Sequence, residues 1–385
     1  PLERRPMTFR TTPAGVPAQL ASADQLSRLG FDDQWDHAFH ETSTIDLPDA
    51  PAFPARVVRT DRGACDTLSA AGPVRATWGA DVVAAVASDP LAVPSTGDWV
   101  RVQAWPDGNH TVEAVLPRRT AVVRAQVGGT SSGQVLATNV DVVAVVEGLY
   151  PDPDLGRIER FMALAWESGA QPRLVLTKGD LGHDAAELAA EIGSQVAAGC
   201  PVDVTVAHEG EGLEELRAVL ADGATLALLG ASGVGKSTLL NALLGREAMR
   251  TQALGAVHKG RHTTVTRELH LAPGGGAVID TPGLRSVGLQ GGEGLAEVFA
   301  DIDELALGCR FTDCAHDREP GCAVQAAIDA GELPERRLAS WRKLQREAAY
   351  QARRVDARLR AAELAVWKQR TMDNRRAAKA GRQKR

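Results

Sequence analysis

Two short stretches of this chain carry residues suited to nucleotide chemistry, and their order is unusual. Gly230-Ala231-Ser232-Gly233-Val234-Gly235-Lys236-Ser237-Thr238 has the G-x-x-x-x-G-K-S spacing of a phosphate-cradling loop. Glycines at this spacing let successive backbone N–H groups turn inward onto phosphate oxygens. Lys236 then reaches the β and γ phosphates, and the Ser237 hydroxyl is placed for Mg²⁺. The loop follows the apolar run TLALL and opens the helical run KSTLLNALLG, whose N-terminal dipole favours an anion. Thr177-Lys178-Gly179-Asp180 fits the pattern of a guanine reader, yet it lies upstream of the loop. The Asp180 carboxylate can accept from both the ring N–H and the amino group of guanine, while the Lys178 stem packs on the base. Adenine lacks that donor pair, so the motif selects GTP over ATP.

Further residues complete the constellation. Asp280-Thr281-Pro282-Gly283 ends the strand-like run GAVID. Asp280 there can hold Mg²⁺ through water, and the Gly283 N–H can bond the γ-phosphate. Val206 and Ala207 would supply a second base-contacting loop through backbone groups alone. In the stretch KGRHTTVTREL, Thr264 is the first choice for covering the γ-phosphate and ligating Mg²⁺, and Thr263 the second. Leu284 occupies the place where many GTPases carry a water-orienting glutamine. Leucine cannot orient water, so His262, with a side chain that titrates near neutrality, is the candidate catalytic group; a plain surface histidine is the alternative. Cys309, Cys314, His316 and Cys322 supply three thiolates and one imidazole within fourteen residues. That is a complete tetrahedral set for one structural Zn²⁺, with no open position for catalysis. Cys65 and Cys200 stand alone and read as ordinary buried thiols.

The surrounding sequence must position these groups. The chain has 385 residues, 44% hydrophobic and 24% charged, enough for two or three domains with sizeable cores. No apolar run reaches the ~18 residues of a membrane span, and the first residues lack the apolar core of a signal peptide, so the expected location is cytoplasmic. Residues 1–50 read as an arm, helical over ADQLSRLGF and otherwise irregular. Residues 51–121 alternate short β-like runs with turn signals: ARVVRTDRG, PVRATWG, DVVAAVA, and the hairpin DWVRVQAWPDGNHTVEAVLPRR with its PDGN loop. This pattern predicts a small barrel, with an OB-fold the leading candidate. Residues 122–300 alternate strands and helices, which predicts a parallel sheet covered on both faces. Residues 301–385 combine the Cys/His cluster with one or two long helices and a basic end. From Trp341 onward there are 15 Lys or Arg against 4 Asp or Glu, a net of +11, whereas the whole chain carries −6. An acidic body with a basic end points to an anionic partner or to a solvated, arginine-rich helix.

In the usual numbering of GTPase motifs the order here is 4-5-1-2-3, which marks a circularly permuted GTPase. Within that group the chain resembles the ribosome small-subunit-dependent GTPase A family over about residues 53–322. The carriers are GDWVRV and VLPRRT, ATNVD, TKGD, GASGVGKSTLLNAL, KGRHTT, DTPGLR and CRFTDCAHDREPGCAV. The resemblance implies an OB-fold barrel, a permuted α/β P-loop GTPase domain and a zinc-binding helical domain. It implies GTP/GDP, Mg²⁺ and one structural Zn²⁺ as ligands. It also implies action late in small-subunit assembly, with the small ribosomal subunit and its rRNA as partners, hydrolysis stimulated by the subunit, no membrane, and a monomer. It carries Lys236, Ser237, Lys178, Asp180 and Asp280 to nucleotide and Mg²⁺ binding, the four Cys/His residues to zinc, and His262 to catalysis. VAH departs from the family's Ser-rich base loop. Gly233 stands where potassium-dependent relatives carry Asn, so no K⁺ requirement is expected. An RNA-binding assembly factor that uses nucleotide only structurally is the alternative reading.

Overall fold

The computed structural model describes residues 23–42, 51–125, 133–181, 184–197, 199–248, 267–284, 288–289 and 292–355. Two short helices come first, α1 (Ala23–Arg28) and α2 (Asp33–Glu41). The first fulfils the expected arm helix. The second corrects the expectation of irregular chain: Asp32 caps it, its side chain accepting from Trp35 N at 2.9 Å, and Trp35 and Phe39 form its buried stripe.

Five strands close into a barrel in the order β1-β2-β3-β5-β4: β1 (Ala52–Asp61), β2 (Ala64–Ser69), β3 (Gly72–Trp78), β4 (Trp99–Ala104) and β5 (His110–Val115). Alternating valines and alanines, among them Ala55, Val57, Ala76, Val100, Val102 and Val112, fill its interior. DVVAAVA, expected as a strand, is instead part of helix α3 (Ala80–Ser88). Val82 and Val86, four apart, share one helical face and pack on the barrel core, while the alanines between them favour a helix. The adjacent valines alone had suggested β structure.

A hairpin of β6 (Ala121–Arg124) and β7 (Gln134–Thr138) leads into a six-stranded sheet. Its strands are β8 (Val142–Gly148), β9 (Gln171–Thr177), β10 (Val202–Thr205), β11 (Thr225–Leu229), β12 (Glu268–Leu271) and β13 (Ala277–Asp280). Their spatial order is β10-β9-β8-β11-β13-β12, parallel except for β12. The helices are α4 (Leu155–Glu167), α5 (Ala185–Val196), α6 (Glu214–Ala221) and α7 (Lys236–Leu244). Every residue of β8 and β11 is buried, as expected of central parallel strands with both faces covered. Side chains of one parity in β8, Val143 and Val145, join the core that includes α4 and α5. The other parity, Val142, Ala144 and Val146, joins the core that includes α6 and α7.

The last described elements are α8 (Glu293–Val298), α9 (Ala300–Ala306), α10 (Ala323–Asp329) and α11 (Glu335–Val355). They are tied to α4 by buried charge. Glu159, fully buried, accepts from Arg336 Nη1 at 3.0 Å and Arg337 Nη1 at 2.9 Å. Arg337 also clasps Asp301 and stacks over Phe299. Arg56 is likewise buried, between three segments. It donates to the carbonyls of Leu29, Gly97 and Asn139, so one guanidinium joins the arm, the barrel and the entry to the sheet.

Candidate nucleotide site and Cys3His cluster

The sequence places its motif residues just beyond strand ends, and the sheet gathers those ends along one edge. Gly148 is in register with Thr177, Thr177 with Thr205, Leu229 with Val145, and Leu228 with Asp280. The crevice outside the carboxyl ends of parallel strands is where ligands bind in such sheets. TKGD leaves β9, the GASGVGKST loop leaves β11, and DTPG leaves β13. They are neighbours in space although they are distant in sequence.

The phosphate loop runs from the buried end of β11 into α7. Gly235 has a φ of +106°, a left-handed conformation that L side chains rarely adopt, and a Cβ there would lie 2.9 Å from Thr177 Oγ1. This close approach binds the two motifs together: the Thr177 hydroxyl donates to the Val234 carbonyl of the loop and lies 3.3 Å from the Glu147 carbonyl. Lys236 is only 7% exposed and folds back onto its own loop, Nζ donating to Gly230 O at 2.9 Å and Ala231 O at 2.7 Å. Burial lowers its pKa, and the carboxylates of Asp280 and Glu147 oppose that shift. Phosphate oxygens entering the loop would take over these contacts from the two carbonyls. Ser232 and Gly233 are exposed at the loop's tip, and Ser237 and Thr238 lie in the first turn of α7.

Asp280, at the end of β13, is buried. Burial raises its pKa to about 6, with the Lys236 charge pulling the other way. Its Oδ1 is buried with no donor among the described residues, as a group reserved for a cation would be. Thr281 Oγ1 donates to Leu228 O at 2.6 Å, pinning DTPG to the phosphate-loop strand. Gly283 passes against Ser232 so closely that a Cβ would lie 2.8 Å from Ser232 Cα. Leu284 donates its N–H to Gly230 O at 3.2 Å and buries its side chain in the core, so it cannot orient water.

In the TKGD loop, Lys178 takes a φ of +63° and its Nζ donates to Tyr150 O at 3.0 Å. Gly179 and Asp180 begin a short 3₁₀ turn, with the Asp180 carboxylate exposed. Val206 bridges to Glu211 across a tight loop, and Ala207 is buried beside it. His262, Thr263 and Thr264 lie outside the described residues.

The second cluster closes around Cys309, Cys314, His316 and Cys322, whose ligand atoms all lie within 4.8 Å of one another. His316 Nδ1 is 3.6 Å from both Cys309 Sγ and Cys322 Sγ, and those sulfurs are 3.9 Å apart. A tetrahedral zinc ion, with bonds of about 2.3 Å to sulfur and 2.0 Å to nitrogen, sets these separations at about 3.5 and 3.8 Å. Cys309, His316 and Cys322 match that spacing, and with Cys314 the set is compatible with the ion. His316 is held by its own carbonyl, which accepts from Gln325 Nε2 and from Arg342 Nη2 at 2.6 Å, and by Trp341 packed at 5.8 Å. These supports, which hold the His316 backbone and pack one side of its ring, were not foreseen from sequence. Of the two lone cysteines, Cys65 is fully buried, its thiol pushed up to about 11 by burial, and Cys200 is half-buried.

Comparison with known proteins agrees with this geometry. The family model described as RsgA GTPase matches residues 115–290. A protein of Streptomyces coelicolor named small ribosomal subunit biogenesis GTPase RsgA is 54% identical over 341 residues, covering 87% of this chain and 90% of its own length. One of the same name from Opitutus terrae is 47% identical over 355 residues, covering 89% of this chain and 95% of its own. The crystal structure of YjeQ from Thermotoga maritima matches at a TM-score of 0.56 and 26% identity, covering 77% of this chain and 99% of that one. The structure of YloQ, described as a circularly permuted GTPase, matches in fold at a TM-score of 0.55 and 22% identity, covering 79% of this chain and 98% of that one. Among the described residues no helix is long and apolar enough to cross a membrane.

Proposed function

The chain belongs to the RsgA GTPase family, and on that premise we propose that it hydrolyses GTP during maturation of the small ribosomal subunit, the subunit stimulating turnover. The observation that carries the reading is the meeting of a guanine reader and a phosphate loop at one sheet edge through the Thr177 hydroxyl. Asp180 and Lys178 recognise the base, with backbone groups of Val206 and Ala207 beside it. The N–H groups of residues 230–238 hold the phosphates, and Lys236 neutralises the β and γ charges. Ser237, Thr264 and, through water, Asp280 hold Mg²⁺, which when bound neutralises charge on the phosphates. Gly283 senses the γ-phosphate through its N–H. With Leu284 turned into the core, His262 is our candidate for orienting the attacking water. Its support is position alone, between the phosphate loop and DTPG.

The barrel order β1-β2-β3-β5-β4, with β3 and β5 parallel, supports assigning it as an OB-fold. We divide the chain into an arm (1–50), this barrel (51–121), the permuted GTPase domain (122–300) and a zinc-binding helical domain (301–385). The cysteine-histidine set holds one structural zinc. In the GTP state the barrel and the zinc domain dock together on rRNA, and hydrolysis releases a monomeric protein into the cytoplasm. Multiple-turnover GTP hydrolysis with and without purified small subunits tests the function. Stimulation that disappears in Lys236→Ala and His262→Ala supports it. A rate indifferent to subunits and to both substitutions favours an RNA-binding assembly factor in which nucleotide is structural.

A further inference from the structure

The loop that carries His316 is held by a carboxylate that is not one of the four candidate ligands. His316 is buried, and its φ of +58° is left-handed, a conformation uncommon outside glycine that persists where surrounding bonds hold it. Those bonds converge on the peptides to either side. Glu319 Oε1 accepts from Ala315 N at 3.1 Å, and Oε2 accepts from Asp317 N at 2.8 Å and Arg318 N at 3.1 Å. The His316 carbonyl accepts from Gln325 Nε2 and, at 2.6 Å, from Arg342 Nη2 on α11. One carboxylate thus takes the N–H groups of the residues immediately before and after the histidine.

Glu319 is itself fixed to a second member of the set. Its carbonyl accepts from Cys322 N at 3.2 Å, closing a turn over Glu319-Pro320-Gly321-Cys322. Proline in the second place and glycine at a φ of +81° in the third are what a type II turn asks for. Beyond the turn, the Cys322 sulfur caps α10 by accepting from Gln325 N at 3.5 Å, and His316 Nδ1 lies 3.6 Å from that sulfur. The Glu319 main chain therefore follows Cys322 while its side chain follows His316, so this residue sets where the loop stands relative to the sulfurs. An ionised carboxylate suits the task, because it only accepts and offers lone pairs to several N–H groups at once. An amide in its place would turn an NH₂ group toward one of them.

We propose that Glu319 is a positioning residue of the Cys3His site: by holding the peptides that flank His316 it brings the imidazole to the three sulfurs. This rests on the metal-site reading above. If the carboxylate is lost, His316 is released from its left-handed conformation and the ring leaves the set. The cysteines keep their own main-chain bonds, from Cys309 N to Ala306 O at 3.0 Å, Cys314 N to Phe311 O at 3.3 Å and Cys322 N to the Glu319 carbonyl. The role runs through the imidazole. Removing the Glu319 side chain should therefore cost nothing further once the His316 ring is gone, whereas a general structural role in the loop would cost as much in either background.

The test is the zinc affinity of the full chain, measured by competition with a chromophoric chelator. The absorption of Co²⁺ bound in place of zinc reads the ligand set, and thermal melts confirm that each variant is folded. Glu319→Ala should weaken zinc binding about 10–100-fold, the range for groups that orient a metal ligand. In the His316→Ala background the same substitution should change affinity by less than about threefold, well short of that range. Co²⁺ bound to Glu319→Ala should show the ligand-field bands of the His316→Ala variant, with the sulfur-to-metal charge-transfer band retained. Parent-like zinc affinity in folded Glu319→Ala, a parent-like Co²⁺ spectrum, or an equal loss in the His316→Ala background would overturn the proposal. If Glu319→Ala does not fold, Glu319→Gln, which keeps the volume, decides by the same comparison. Failure of the parent chain to bind zinc would instead overturn the metal-site reading.

Discussion

Replacing Arg337 with methionine tests how the C-terminal helices are held. Arg337 has a side chain only 4% exposed and joins three partners: Glu159 on α4, Asp301 on α9, and the Val298 carbonyl. Glu159 is fully buried, and its Oε1 alone receives both arginines while Oε2 has no donor among the described residues. Methionine fills a similar volume without charge, leaving Glu159 with Arg336 alone. That remaining arginine is 35% exposed, so solvent screens part of its attraction. Breaking a buried pair by removing one partner costs about 3–5 kcal/mol, and the surviving Arg336 contact places this case near 3 kcal/mol. At roughly 2–4 °C per kcal/mol, the domain's melting transition should fall by about 6–12 °C. Glu159→Gln/Arg337→Met should recover part of that loss, because the unpaired buried charge is gone. Differential scanning calorimetry and limited proteolysis of α11 both read the effect. A shift below about 2 °C, under the ~1 kcal/mol that this conversion assigns to it, would refute the view that buried charge locks these helices to the sheet.

Other outcomes follow from the same structure. Burial raises the Asp280 pKa to about 6, above its unfolded value, so below about pH 6 it holds a proton that a bound Mg²⁺ would have to displace. Mg²⁺-dependent GTP binding should therefore weaken as pH falls below about 6, approaching tenfold per unit, and Asp280→Asn should remove that dependence; titrations from pH 5 to 8 check it. His270 is buried and held near pKa 4 by desolvation, below its unfolded value, with Arg246 adding to the shift. Its contribution is complete above about pH 6.5 and lost as pH falls toward 4, at most about 3 kcal/mol. Urea denaturation at pH 7 and 5 should show a smaller difference in His270→Phe than in the parent. Gly283→Ala places a methyl carbon against the Ser232 backbone and should lower GTP affinity at least tenfold in equilibrium titration, from an off-geometry loop costing more than about 1.4 kcal/mol. Chelation of zinc, followed by thiol titration and calorimetry, should release three reactive thiols from Cys309, Cys314 and Cys322 and melt the C-terminal helices first.

The motifs of the proposed nucleotide site could be read from sequence because their spacing is local. Gly230, Gly235, Lys236 and Ser237 lie within eight residues, and TKGD and DTPG each sit at the end of an apolar run. The Cys/His set was legible for the same reason. What escaped were contacts made across the fold. Nothing near Glu159 in sequence announces Arg337, far along the chain on α11. DVVAAVA misled because two adjacent valines suit a strand, whereas Val82 and Val86 at helical spacing meet the barrel core. The hairpin of β6 and β7 and helix α2 went unforeseen because their short apolar patterns gain meaning only against Val140, Trp99 and their neighbours in the shared core.

The central claim is that a guanine reader preceding its phosphate loop in sequence forms one site with it in space. Calorimetric titration of GTP and ATP, each with Mg²⁺, into the parent chain and Asp180→Asn tests this directly. The account predicts GTP bound at least about a hundredfold more tightly than ATP, with Asp180→Asn losing most of that preference, since two hydrogen bonds to a charged group are at stake. Equal affinity for GTP and ATP in the parent, or a preference untouched by Asp180→Asn, would contradict it.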